Sequence, residues 1–243
     1  MFEPVKVAFG RYMGGFYNSL VPTTKGMQEF VGRGLEHSIG WAPGRMVDAA
    51  EDMIALWHRN DPNPENITPS KPANMPVLLC AMARDYSPTM RDYAYQIVHP
   101  QFFTFPDDAK ERMFKLRTVS GDIRAQIVIF AHDEPTARGI AAQLLLYSDA
   151  NRRFRSFYRF AGVDRPWPVQ IEAPDSPAMN VGSESNNLTV LAVDFTLKVT
   201  APLYQAPKDD EPHDGKGTDG NPDDPHGYLL VESFGADYTE AQP

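Results

Sequence analysis

The densest group of chemistry-bearing side chains lies at residues 152–165, where Arg152, Arg153, Arg155, Arg159 and Arg165 alternate with Phe154, Phe157, Tyr158 and Phe160. Guanidinium forks recognise carboxylates and phosphates, and they stack on rings. The pattern is open to three readings. It fits a protein–protein interface, where Tyr, Phe and Arg are enriched. It fits a solvated or lumen-facing basic face. It also fits a surface for single-stranded nucleic acid, held by stacking and phosphate contact. No RNP or KH signature accompanies it. The interface reading is preferred, with Arg152, Arg153, Arg155, Arg159, Phe157 and Tyr158 as its candidate residues.

Other chemistry finds little support. There is no H-E-x-x-H, C-x-x-C or calcium-loop pattern. G-x-S-x-G and the glycine-rich phosphate loops are also missing. His132-Asp133-Glu134 falls at a strand–helix junction, where Asp133 serves better as a helix cap than as a ligand. His213 and His226 sit among acids in a segment that would lose too much entropy on ordering to hold an ion tightly. The adjacent carboxylates Asp107-Asp108 and Glu51-Asp52 carry no sign of perturbed ionisation, and Gly32-Arg33-Gly34 reads as a bend. Cys80, the single cysteine, lies in the apolar run Met75–Ala83 and reads as a buried structural thiol. No catalytic residue, metal ligand or cofactor is expected.

The elements that must position the arginine-rich stretch are those of an ordinary globular chain. The sequence has 243 residues, 42% hydrophobic and 23% charged, enough for a core of normal size. Its net charge of -9 argues against a DNA-coating protein. The 22 prolines are scattered, which points to many turns and extended loops. The run Met75–Ala83 is far shorter than a membrane helix needs. Met1–Gly10 lacks the basic and apolar regions of a signal peptide, so folding in a reducing compartment is expected.

The predicted fold is α+β, a mixed or antiparallel sheet with helices packed on one face and extended N-terminal and C-terminal arms. Residues 1–42 read as an aromatic, glycine-rich arm or cover, broken by Gly14-Gly15, that packs on its own core or on a neighbouring subunit. The core domain spans 43–206. It begins with a helix over 43–59, whose Met46, Ala49, Ala50, Met53 and Trp57 form one stripe. A Pro- and Asn-rich loop follows to residue 74, then a buried strand at 75–83 and an irregular excursion over 84–110. A β-hairpin is predicted over 112–132, with Ser120-Gly121 as its turn. A helix over 134–147 has Asp133 as its cap, Pro135 in its first turn, and Ala137, Ile140, Ala141, Leu144 and Leu145 as its stripe. A short strand at 169–173 and a strong alternating strand at 188–201 complete the core.

Residues 207–227 change character. From Lys208 to His226 there are seven acids and two lysines, net -5, and the segment reads as a disordered linker reaching about 25 Å. Residues 228–243 then form a docking segment, with Tyr228, Leu229, Leu230, Val231 and Phe234 as interface candidates. They either dock on a partner's sheet edge or groove or form a last strand of the parent sheet.

This order of elements, with Arg-x-Gln-Ile-x-Ile-Phe at Arg124–Phe130, Thr-Ala-x-x-Ile-Ala-x-x-Leu at Thr136–Leu144 and the strand Asn187–Pro202, resembles the neck and tail-terminator proteins of tailed bacteriophages. The best match covers 112–147 and 187–202. The resemblance implies a structural virion subunit at the head–tail neck or tail, forming a homo-oligomeric ring as a tail terminator, collar or connector. The ring would be a hexamer or dodecamer joined to other phage neck or tail proteins, with DNA only passing through its lumen. It would be assembled in the host cytoplasm. The other class kept open is a nucleic-acid-binding accessory protein that uses 152–165.

Overall fold

The computed structural model describes residues 1–42, 75–88, 96–105, 108, 112–160, 162–172, 178–180 and 188–208. The chain divides into two compact units, Met1–Gln96 with Val119–Ala201 and Ile97–Thr118 with Pro202–Pro243. The helix predicted over 43–59, the loop that follows it, and the C-terminal segment from residue 209 onward lie outside the described residues.

The described elements are helices α1 (Glu3–Ser19), α2 (Lys25–Gly32) and α3 (Glu134–Ala150), and strands β1 (Ile39–Trp41), β2 (Val77–Met82), β3 (Ser87–Pro88), β4 (Gln101–Thr104), β5 (Met113–Ala131), β6 (Arg153–Phe160), β7 (Val163–Glu172), β8 (Ala178–Asn180) and β9 (Thr189–Gln205). The main path of the sheet runs β1-β2-β5-β9-β7-β6. β1 joins β2 in parallel, and the other strand pairs whose register is known are antiparallel. The bonds Ser120–Thr200 and Gln126–Asp194 run in opposite sequence directions, as expected of an antiparallel β5–β9 pair. The fold is α+β with a mixed sheet.

In the larger unit, one face of the sheet carries the main core. Alternate residues of β5 (Ile123, Ala125, Ile127, Ile129, Ala131) and of β9 (Leu191, Val193, Phe195, Leu197, Val199) meet the buried stripes of all three helices there. Both sets alternate with the period of two that burying one sheet face imposes. Val128 and Phe130 turn to a second cluster with Val77, Leu79, Ala81, Val190 and Ala192, so β2 and the end of β5 are buried on both faces. Asp133 caps α3 as expected, its Oδ1 accepting from the Thr136 amide at 2.8 Å. Thr24 caps α2 the same way.

The N-terminus departs from expectation. Residues 3–19 are a helix running straight through Gly14-Gly15, and the segment is a cover on its own core. Val5, Phe9, Tyr12, Met13 and Phe16 form its buried stripe. Each glycine in a helix interior costs about 1 kcal/mol relative to Ala. Burying each large apolar side chain returns about 1.5–3 kcal/mol, so the stripe wins. Gly15 also has a steric role: a Cβ there would lie 2.4 Å from the Tyr147 hydroxyl of α3. The hydroxyl of Tyr17 donates to the Val31 carbonyl at 2.7 Å, and Gln143 clasps both the N–H and the C=O of Val21, fastening α1 and its exit to α2 and α3.

The hairpin predicted over 112–132 does not form. Residues 113–131 are one continuous strand, with no pairing between 112–119 and 122–131. Gly121 is not a turn glycine. It lies opposite Pro88 of β3, and an added Cβ would meet the Tyr86 ring at 2.5 Å and the Ser87 carbonyl at 3.1 Å. Glycine inside a strand commonly marks such a close approach. Gly121→Val is therefore expected to destabilise the chain by about 1–3 kcal/mol, as overpacking does, read as a lower urea midpoint. An unchanged midpoint would mean β3 yields freely.

Within the smaller unit, β4 pairs with 113–116 of β5. Phe103, Phe105, Phe114 and Tyr204 pack ring against ring at centroid separations of 4.7–6.2 Å. Arg112 grips Asp108 through two hydrogen bonds and stands over the Phe114 ring.

Candidate interface on the open edge hairpin

The arginine-rich stretch forms a β-hairpin. β6 and β7 pair from Arg153↔Gln170 to Phe160↔Val163, and Gly162 at the tip has φ +81°. The turn glycine is thus Gly162 rather than Gly121. The strand expected at 169–173 begins six residues earlier, at Val163, and includes Pro166 and Pro168.

Backbone direction explains these prolines. The Ile171 amide donates to the Arg152 carbonyl, so odd-numbered residues of β7 direct their N–H toward β6. Even-numbered residues direct theirs away. Gln170 and Glu172 face β9, and β7–β9 pairing ends at Val169↔Val199. Pro168 and Pro166 come next, where a missing N–H breaks no ladder. The outer half of the hairpin therefore leaves β9.

On β6 the same geometry turns the backbone groups of Arg153, Arg155, Phe157 and Arg159 away from β7. β6 is the terminal strand of the sheet, so this edge is open among the described residues. Their side chains also share one face, and all four are exposed, Phe157 at 43%. Gln170, Pro168, Pro166 and Asp164 lie opposite them. Only Arg159 therefore faces an acid, and no hydrogen bond or ion pair engages Arg153 or Arg155 among the described residues. The guanidinium of Arg11 on α1 stands 5.9 Å from the Phe157 ring centroid.

The other face of β6 points inward. Phe154 packs on Tyr12 at 5.0 Å, Ser156 is fully buried, and Tyr158 is half-buried opposite Arg165. Burial pushes the Tyr158 phenol up to about 12, against a smaller opposing pull from the Ser156 hydroxyl. Arg152 lies before the strand and pairs with Asp149 at the end of α3. Of the six candidates in this stretch, the fold brings Arg153, Arg155, Phe157 and Arg159 together on one exposed face. It turns Tyr158 inward and assigns Arg152 to the helix end. Tyr228, Leu229, Leu230, Val231 and Phe234 lie outside the described residues. The sequence carried a signal for this split, since the odd and even positions of 153–160 separate the arginines from most of the aromatics.

His132 is exposed just past β5. No three His, Cys, Asp or Glu side chains converge as metal ligands among the described residues. Cys80 is fully buried in β2, and burial pushes its thiol up to about 12. Arg33, held by the Ser38 hydroxyl, is lowered to about 10 by burial, partly offset by Tyr17 and Glu29. A cleft beside the start of α1 gathers Phe2, Glu3, Lys6, Trp41, Met82 and Arg84, with the Lys6 ammonium 5.4 Å from the Trp41 ring centroid. No helix among the described residues is long and apolar enough to cross a membrane.

No family model matches this chain, and no curated protein matches it.

Proposed function

We propose that this chain is a structural subunit of a homo-oligomeric ring at the neck or tail of a tailed bacteriophage, in the place of a tail terminator, collar or connector. The observation that carries the reading is the open β6 edge, with Arg153, Arg155, Phe157 and Arg159 presented together on it. A long strand edge left bare is an aggregation hazard unless it is used or protected. Exposed Arg beside an exposed aromatic is the composition of a binding surface. The assignment to phages rests on the resemblance carried by Arg124–Phe130, α3 and β9. The hairpin that was part of this resemblance is replaced by the continuous β5, which leaves the helix and the late strand to support it.

On this reading the ring meets other neck or tail proteins, and DNA only passes through its lumen. Electron microscopy of the purified protein, with mass measurement in solution, is expected to give closed rings of uniform stoichiometry. A strict monomer, alone and with its natural partners, would overturn the reading. The exposed arginines with Phe157 also support the other class, a nucleic-acid-binding accessory protein. That reading expects single-stranded DNA to bind at physiological salt with a steep salt dependence, and this would appear in the same preparation without rings.

A further inference from the structure

We infer that the β6 edge receives residues 228–234 from a second copy of this chain, added as an extra strand. The inference rests on the reading of the chain as a self-assembling subunit, and it names the contact.

β6 turns the N–H and C=O groups of Arg153, Arg155, Phe157 and Arg159 outward, and strand addition uses such a row for main-chain hydrogen bonds. The occupant follows from charge. If two β6 edges paired with each other, outward-facing residues would meet outward-facing residues. Antiparallel pairing centred on Phe157 places Arg155 directly opposite Arg159 on the same face, and like charges directly opposite are destabilising. That register of self-pairing is therefore disfavoured, and the basic edge favours a strand joined to an acidic segment. Residues 152–165 hold five Arg and one Asp, net +4, whereas 208–226 are net -5.

Next comes Tyr228-Leu229-Leu230-Val231-Glu232-Ser233-Phe234, seven residues whose single charge is acidic. Laid along β6, one alternate set (Tyr228, Leu230, Glu232, Phe234) extends the face of the arginines and Phe157. The other set, with Leu229 and Val231, extends the face of Phe154 and Tyr158. On the first face Glu232 is the one acid to meet the arginines, with Tyr228, Leu230 and Phe234 beside Phe157; on the second, Leu229 and Val231 meet Phe154 and Tyr158.

The test uses full-length chains in two differently tagged forms, one carrying Arg155→Cys and the other Leu230→Cys, mixed and mildly oxidised. Arg155 is exposed, so its replacement spares the core, and native Cys80 is buried away from the reaction. A disulfide joining the two tags is expected. In a second pair of variants, Arg153→Glu with Arg155→Glu should weaken association about tenfold or more, more at low salt than at high. Reversing Asp209, Asp210 and Glu211 to Lys in the same chain should restore it. Absence of the mixed disulfide, or a crosslink only when both cysteines share one chain, overturns the inference. If rings persist in electron microscopy while the disulfide fails, the contact is wrong and the ring reading stands. If no ring is seen with unaltered chains, the ring reading fails first.

Discussion

Replacing Phe9 by Ala is expected to remove about 3–5 kcal/mol of folding stability, the usual cost of emptying a buried aromatic site. Phe9 is fully buried on α1, stacked at 6.0 Å on Tyr12 and edge-on at 6.1 Å to Trp41. A loss of this size is a large share of what holds a domain together. Urea unfolding at several protein concentrations is the measurement. If α1 belongs to its own core, the loss is the same at every concentration, including where the chain is monomeric. An arm seated on a neighbour would instead show a loss that grows with concentration. Phe16, also fully buried, is expected to behave alike.

Stability is expected to fall as pH rises from about 9 to about 12. Burial pushes the Cys80 thiol from its ordinary 9.0 up to about 12, and the Tyr158 phenol from 10.0 to the same range. The Tyr12 phenol is raised as well, by burial and then by Tyr147 beside it. The unfolded chain releases these protons near the ordinary values, while the folded chain retains them. At these three groups the unfolded state binds fewer protons across that window, which outweighs the opposite contribution of Arg33, lowered to about 10 by burial, so the unfolding free energy declines with pH. Below pH 9 the full stability is present. Each unit of displacement is worth about 1.4 kcal/mol, so Cys80 alone accounts for about 4 kcal/mol by pH 12. Urea midpoints between pH 7 and 11.5 measure the slope, and Cys80→Ala should lose its early part, which begins near pH 9. A flat profile across the window would show that water reaches these groups in the folded state.

The two largest departures from the sequence reading share a cause. At Ser120-Gly121, a turn dipeptide stands between two strand-like runs, and local chemistry favours a hairpin. The competing arrangement, one strand flanked by β2, β3, β4 and β9, draws on residues up to about 80 positions away. Gly121 is needed for the approach of Tyr86 and Ser87, which no local pattern reveals. At the N-terminus, Gly14-Gly15 reads as a break, yet Tyr147 supplies the reason for a glycine inside a helix. In the candidate site, Pro166 and Pro168 hid a strand that tolerates them only because their side of β7 faces away from β6.

By itself, the sequence determined what depends on local periodicity and capping chemistry. The α3 stripe and its Asp133 cap, the buried strand around Cys80, and the inward sets of β5 and β9 all follow from spacings of 3.6 and 2 residues, which burial enforces. The clustering of arginines and aromatics at 152–165 was also plain. Only the tertiary structure decided that α1 is a cover on its own core, that β5 is unbroken, and that 153–160 is the terminal strand with Arg153, Arg155, Phe157 and Arg159 facing out. Strand order and edge position are set by non-local pairing, where the entropy of closing long loops is repaid only by partners distant in sequence. No short window of residues contains both sides of that balance.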